Sequence, residues 1–232
     1  MIEQPTTEKT TVSFLLDRTG SMEAIKAETI GGFNAYLDTL EREAGGLVQF
    51  TLLQFDSESI DTLCRGIRLS EVQRLTPETY QPRAYTPLID ACFQTIKATE
   101  EMVAQCRDKP RVIIVFQTDG EENASREHSL VELRDLIERR KDEGWQFAFL
   151  GADINAYTAA RCFGIDEDAT VAYSGKRSVA CLRETAAVFG ALAQGRARRL
   201  RFSDEQKRVA GDRYATAAEA PGYTAAGSDH AR

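Results

Sequence analysis

The chain has 232 residues, 42% of them hydrophobic and 28% charged, with a formal net charge of −7. That length suits one good-sized core, and the acidic balance excludes a general binder of nucleic acid or anionic membranes. No stretch approaches the roughly 18 continuous apolar residues of a membrane span.

Residues 1–10 are polar, lack the basic-then-apolar order of a secretory signal, and are expected to form a flexible lead-in. The β-rich run TVSFLL (11–16) reads as a strand ending at Asp17. Beyond it Met22, Ile25, Ile30, Phe33, Leu37 and Leu40 recur at steps of three to five, lining one helix face, and EAGG (43–46) stops that helix. The pair Gly31 and Gly32 costs about 1 kcal/mol each inside a helix and implies close approach of helix to sheet. Asn34 is expected to make a hydrogen bond on the helix face.

A second strand, LVQFTLLQF (47–55), turns through DSES (56–59) into a third around Ile60 to Ile67, an antiparallel hairpin. Pro77, Pro82 and Pro87 mark irregular backbone before a helix carrying Leu88, Cys92, Ile96 and Val103. RVIIVF (111–116) is apolar on both faces, as a covered central parallel strand is. The alternation then repeats. A helix with Leu130, Leu133 and Ile137 leads to the strand WQFAFLGA (145–152). A short helix near 156–163 leads to ATVAY (169–173), and a last helix carries Val179, Leu182, Ala186, Phe189 and Leu192. The fold class is therefore α/β: a doubly wound, mostly parallel, Rossmann-like sheet with one antiparallel edge hairpin and helices on both faces. One domain spans 11–202. From 203 to 232 the chain turns small and polar without sustained period, and is expected to be a disordered tail. The stretch RARRLR (196–201) either ends the last helix, where cations suit the dipole, or offers a basic patch to a partner. Five cysteines without close pairing read as buried free thiols of a reducing compartment, hence a cytoplasmic, bacterial-type protein.

Chemistry gathers at strand ends. In open parallel sheets ligands bind outside the carboxyl ends of the strands, where the winding reverses. Asp17 leaves one strand in FLLDRTGSM, and Asp119 leaves another in QTDGEEN. If the strands are neighbours, the two carboxylates converge and repel unless a proton or cation lies between them. The hydroxyls of Thr19, Ser21 and, in AYTPLID, Thr86 complete a set of hard oxygen ligands that suits Mg²⁺, Mn²⁺ or Ca²⁺ rather than zinc or copper. Thr19 and Ser21 alone could equally be helix-capping hydroxyls. His128, just before a helix, reads as a capping or surface residue, and Trp145 as packing. Asp153 ends a strand in GAD on the same rim, as a helix cap or part of a partner surface.

These three segments resemble the motifs of von Willebrand factor A domains. DRTGS is similar to the D-x-S-x-S signature, YTPL to the second-loop threonine and TDGEEN to the third-loop aspartate, in the family's order over about residues 10–195. The resemblance implies a metal-ion-dependent adhesion site in which Asp17 anchors the ion and Thr19 and Ser21 contribute hydroxyls. Thr86 would bind directly or through water, and Asp119 through water. An acidic residue of a partner protein would take the last position. Thr19 departs from the motif's serine but keeps the hydroxyl. Glu121 and Glu122 flank the site and, with Asp153, are the candidates for partner contact. By analogy the partner is a MoxR-type AAA+ ATPase or a protein of a kinase and phosphatase cluster.

Two other classes compete with this binding module. One is a structural subunit whose metal merely locks loops. The other is a Mg²⁺-dependent phosphatase of haloacid-dehalogenase type. That enzyme needs a second aspartate two positions after the nucleophile, where this chain has Thr19. The sequence also lacks a G-x-S-x-G elbow and a phosphate loop with G-K-[ST].

Overall fold

A computed structural model describes residues 9–214. Six strands form one sheet: β1 (Thr10–Asp17), β2 (Val48–Phe55), β3 (Ile60–Arg68), β4 (Arg111–Thr118), β5 (Gln146–Ala152) and β6 (Thr170–Tyr173). Their order is β3-β2-β1-β4-β5-β6, parallel throughout except for the β2–β3 hairpin. β1 and β4 are buried along almost their whole length, as continuous β-branched and aromatic runs demand when both faces are covered. The fold class read from the sequence is the one observed.

Six helices cover the sheet: α1 (Lys26–Ala44), α2 (Leu88–Ala104), α3 (Leu130–Asp142), α4 (Ala156–Phe163), α5 (Ser178–Ala193) and α6 (Asp204–Ala210). On one face Phe14 and Phe50 of the sheet meet Phe33 and Tyr36 of α1, and Phe189 of α5 stands edge-on to Tyr36. α2, on the other face, joins its Thr99 hydroxyl to Ser13 of β1 at 2.8 Å. Each buried aromatic ring here contributes about 2–3 kcal/mol of burial, and edge-to-face pairs add about 0.5–1.5 kcal/mol.

Several local expectations change. Residues 20–25 form a 3₁₀ turn before α1 rather than its first turn. Of the two α1 glycines, Gly32 serves a helix–helix contact, not helix–sheet approach: a Cβ on it would lie 2.9 Å from Leu182 Cδ1 and 3.0 Å from the Ser178 carbonyl carbon, both on α5. Asn34 does bond from the helix face, and its partner lies in another segment: it donates to the Leu75 carbonyl and accepts from the Leu75 N–H, both at 2.9 Å, pinning the proline-marked segment to α1. Thr10, assigned to the lead-in, is the first residue of β1, and residues 1–8 lie outside the described residues.

The start of the expected disordered tail is ordered. Ser203 and Gln206 form a reciprocal capping box that starts α6, and Gly211 ends it with φ 81°. The helix is too short for a periodic signal, so composition alone concealed it. The segment covers the edge of β6: the Asp212 carboxylate accepts from the Ala172 N–H (3.0 Å) and the Tyr157 hydroxyl (2.7 Å). Residues 215–232 lie outside the described residues. The arginines of 196–201 come after the end of α5, Arg196 pairing with Glu43 and Arg201 with Asp168. All five cysteines are free; Cys92 and Cys181 are buried, Cys64 and Cys106 half-buried, and Cys162 exposed. His128 stacks on Phe93 with ring centroids 3.6 Å apart, and Trp145 is buried, with the Arg140 guanidinium 5.4 Å from its ring centroid. No helix among the described residues is long and apolar enough to cross a membrane.

Candidate metal centre

The sheet winds outward in both directions from the neighbours β1 and β4, so the crevice at their carboxyl ends is its switch point. Asp17 ends β1 and Asp119 follows β4 by one residue. Asp17 is fully buried, and both of its oxygens are engaged. Oδ1 accepts from the Thr19 N–H at 2.6 Å and Oδ2 from the Thr118 hydroxyl. The chain then curls over the strand end, as alternating small polar residues and Gly20 allow. The Thr19 and Ser21 hydroxyls come within 3.2 Å of each other, and Ser21 donates to Asp119 Oδ1 at 2.6 Å. Thr86 closes the set: a Cβ on Gly120 would lie 3.2 Å from its hydroxyl and 3.5 Å from that of Ser21. Gly120 is the residue here that a side chain would drive into the oxygen cluster.

All five sequence-derived site residues therefore meet. The electrostatics fit an oxygen-ligated cation. Burial pushes the Asp17 carboxyl up to about 7, against the bonds from Thr118 and Thr19, and the neighbouring Asp119 acts in the same direction. Burial also raises Asp119, opposed by the Ser21 hydroxyl and aided by Asp153. Two carboxylates held in a desolvated crevice, with no basic side chain among the described residues bonded to either, are an arrangement that a bound cation relieves. Among the described residues no three His, Cys, Asp or Glu side chains are grouped to hold a metal; here the donors would be two carboxylates and three hydroxyls, a hard set.

The flanking acids divide. Glu122 is not a free rim carboxylate. Its oxygens accept from the Ile89, Ala124 and Ser125 N–H groups and the Ser125 hydroxyl, at 2.6–2.8 Å, so it caps the start of α2. Glu121 is exposed. Asp153 sits on the rim in left-handed backbone (φ 56°) and accepts from the Gly175 N–H at 2.9 Å; it does not cap α4.

Sequence reasoning missed the support beneath the ligands. Thr118 bonds Asp17 and accepts from the Gly120 N–H at 3.0 Å. The buried Tyr80 hydroxyl donates to the Asp17 carbonyl at 2.6 Å. Asn123 accepts from the Thr86 N–H at 2.9 Å and returns its own N–H to the Thr86 carbonyl at 3.1 Å. Only for Thr118, a hydroxyl one residue before Asp119, was a local signal present.

No family model matches the sequence, and no curated protein is similar to it. Solved structures are similar in fold. Manganese-loaded TRAP protein of Plasmodium vivax matches with a TM-score of 0.55 at 18% identity, over 75% of this chain and 72% of that one. The von Willebrand factor domain of the type V pili tip protein Mfa5 from Porphyromonas gingivalis matches with a TM-score of 0.57 at 10% identity, over 82% and 95%. A von Willebrand factor type A protein from Catenulispora acidiphila matches with a TM-score of 0.54 at 12% identity; this chain spans 42% of its length. The chain thus has the fold of von Willebrand factor A domains.

Proposed function

We propose that this chain is a divalent-cation-dependent protein-binding module whose ion is completed by an acidic side chain of a partner. The reading rests on one observation above all: the carboxylates at the ends of two neighbouring strands, Asp17 and Asp119, are joined through Thr19, whose N–H bonds Asp17 and whose hydroxyl meets that of Ser21, and through Ser21, which bonds Asp119, beside the hydroxyl of Thr86. Asp17, Thr19, Ser21, Thr86 and Asp119 would hold Mg²⁺, with Mn²⁺ or Ca²⁺ as alternatives. When bound, the ion supplies a positive centre that a partner carboxylate can ligate. Asp17 contributes charge from below, held by Thr118 and the Thr19 N–H. Ser21 and Asp119 lie nearer the solvent side, with Ser21 exposed. Glu121 and Asp153 would border the contact. A partner of the MoxR-type AAA+ class, or one from a kinase and phosphatase cluster, and a cytoplasmic location belong to the same proposal.

Catalysis by Asp17 is disfavoured by its surroundings. The position two residues on is Thr19, which offers no carboxyl for general acid catalysis.

The test is ion binding by titration calorimetry, with the melting temperature as a second readout. The wild type should bind one Mg²⁺ or Mn²⁺ and gain about 2.7 kcal/mol of stability at an ion concentration 100 times Kd. Asp119→Ala should lose both effects while remaining folded. An unchanged melting temperature between Mg²⁺ and EDTA, with no heat of binding, would sink the proposal.

A further inference from the structure

Tyr85 is the most exposed large apolar side chain among the described residues, 70% accessible, and it immediately precedes the candidate ligand Thr86. Exposed aromatic rings are ordinary on mobile loops, but this one stands on fixed backbone. Arg83 donates its N–H to the Arg18 carbonyl at 2.9 Å, and the Ala84 carbonyl accepts from Gly20 at 3.1 Å. The Tyr85 N–H is held by the Ser57 hydroxyl at 3.1 Å and the Thr86 N–H by Asn123 at 2.9 Å. Four consecutive residues are thus tied to three other loops. Ala84 adopts left-handed backbone (φ 60°), which non-glycine residues seldom enter without a surrounding structure that holds them there. The hydroxyl and ring of Tyr85 have no partner of their own among the described residues.

We infer that Tyr85 is a specificity-determining contact for the partner, a pre-positioned ring that receives an apolar side chain close to the partner's metal-completing carboxylate. The inference rests on the ion-bridged reading above and adds the second half of the recognition motif. Beside the ring lies a groove of about 440 Å³ that Pro87, Ile60 and Ala124 help to line. Of the acids around that groove, Glu58 is paired with Arg83 at 3.2 Å and Asp90 is bonded by the backbone N–H groups of residues 126–128, while Glu127, among the described residues, meets only the neutral Gln94 amide at 3.3 Å in a groove that Arg126 also lines. With the Arg126 guanidinium and the Glu127 carboxylate lining the same groove, neither sign of charge is in clear excess there, whereas an apolar side chain gains by covering the ring and Pro87. Tyrosine on rigid backbone loses little entropy on binding, which is why such residues dominate interface energetics.

The experiment selects a random displayed peptide library on the full chain in Mg²⁺ and, separately, in EDTA. Selections on wild type should enrich, only in Mg²⁺, an Asp or Glu with an aliphatic, aromatic or proline residue at a fixed offset. Tyr85→Ala should keep the acidic residue and lose the apolar preference. A synthetic peptide from the wild-type selection should bind Tyr85→Ala at least about tenfold more weakly, and Tyr85→Phe within about twofold, with Mg²⁺ affinity unchanged in both variants. An apolar preference that survives Tyr85→Ala, or a Lys or Arg at the fixed offset, overturns the inference. Peptides enriched equally in EDTA would overturn the ion-bridged reading instead, and their affinity for Tyr85→Ala would still decide the role of the ring.

Discussion

At the scale of single residues, two of the proposed ligands, Asp17 and Thr86, are held by residues that would not themselves touch the ion. Thr118 is the clearest case. Its hydroxyl bonds Asp17 Oδ2 and accepts the Gly120 N–H, so one side chain fixes both the deepest carboxylate and the turn that presents Asp119. Thr118→Val keeps the shape and the β-branched fit of the strand while removing the hydroxyl. The loss of such a supporting bond typically weakens metal binding 10–100-fold. We expect Mg²⁺ affinity of Thr118→Val to fall by about that factor in calorimetry with the fold intact, and an affinity equal to wild type would remove Thr118 from the centre. This residue also marks the limit of the sequence. Asp17, Thr19, Ser21, Thr86 and Asp119 carry chemistry in their local neighbourhood, four of them where an apolar strand gives way to a turn and Thr86 in the loop just before a helix. Tyr80 and Asn123 act across 63 and 37 positions of chain, and only the folded structure joins them to Asp17 and Thr86. Glu122 misled for a related reason. An acid in a polar loop reads as exposed, yet the N-terminus of α2, delivered from elsewhere in the chain, draws it inward.

At the scale of elements, hydrophobic period located five strands and the five longer helices, because each buries an apolar face, while β3, nowhere fully buried, was placed by the turn before it. It failed for α6, whose seven residues are held by capping and by the edge of β6 rather than by a stripe. It also misplaced the reason for the two glycines of α1. Gly31 and Gly32 are adjacent in sequence but face different surroundings. A Cβ on Gly31 would meet only Val179 Cγ2 at 3.7 Å, an ordinary contact, whereas Gly32 abuts α5 with backbone 3.0 Å away. Replacing a mid-helix glycine by alanine recovers roughly 0.5–1 kcal/mol of backbone entropy, and overpacking costs about 1–3 kcal/mol. Urea unfolding should therefore show Gly31→Ala more stable than wild type by roughly 0.5–1 kcal/mol and Gly32→Ala less stable by on the order of 1 kcal/mol or more. A gain in both would mean that α1 and α5 can move apart at little cost, and a loss in both that Gly31 is as tightly packed as Gly32.

At the scale of the whole molecule, the loops of the metal face are bound to the sheet through one buried charge network. Asp56, at the end of β2 and fully buried, receives the Arg18 guanidinium at 2.7 Å and Arg83 at 2.9 Å, and Arg18 continues to Asp61 at 2.9 Å. Arg18 follows Asp17, Arg83 leads into the Tyr85 and Thr86 loop, and Asp61 lies on the edge strand, so one carboxylate organises three segments around the centre. Burial alone would raise the Asp56 carboxyl. The Arg83 bond, the Glu58 and Ser59 N–H groups and Arg18 outweigh it and hold Asp56 below the ordinary carboxylate range. A carboxyl depressed in the folded state binds fewer protons there than in the unfolded chain, so its contribution is present above the unfolded value near 3.9 and is lost as pH falls through the folded one. Removing it leaves the Arg18 guanidinium, whose side chain is 10% exposed, with the half-exposed Asp61 as its remaining acidic partner, and breaking a buried pair costs up to about 3–5 kcal/mol. Asp56→Asn should be destabilised by roughly that amount at pH 7, and its stability should fall less steeply than that of wild type as pH is lowered below about 4. Equal acid slopes for the two proteins in chemical denaturation would show that Asp56 does not carry the linkage. A large loss at pH 7 with unchanged Mg²⁺ affinity would separate the frame of the metal face from the ligands it presents.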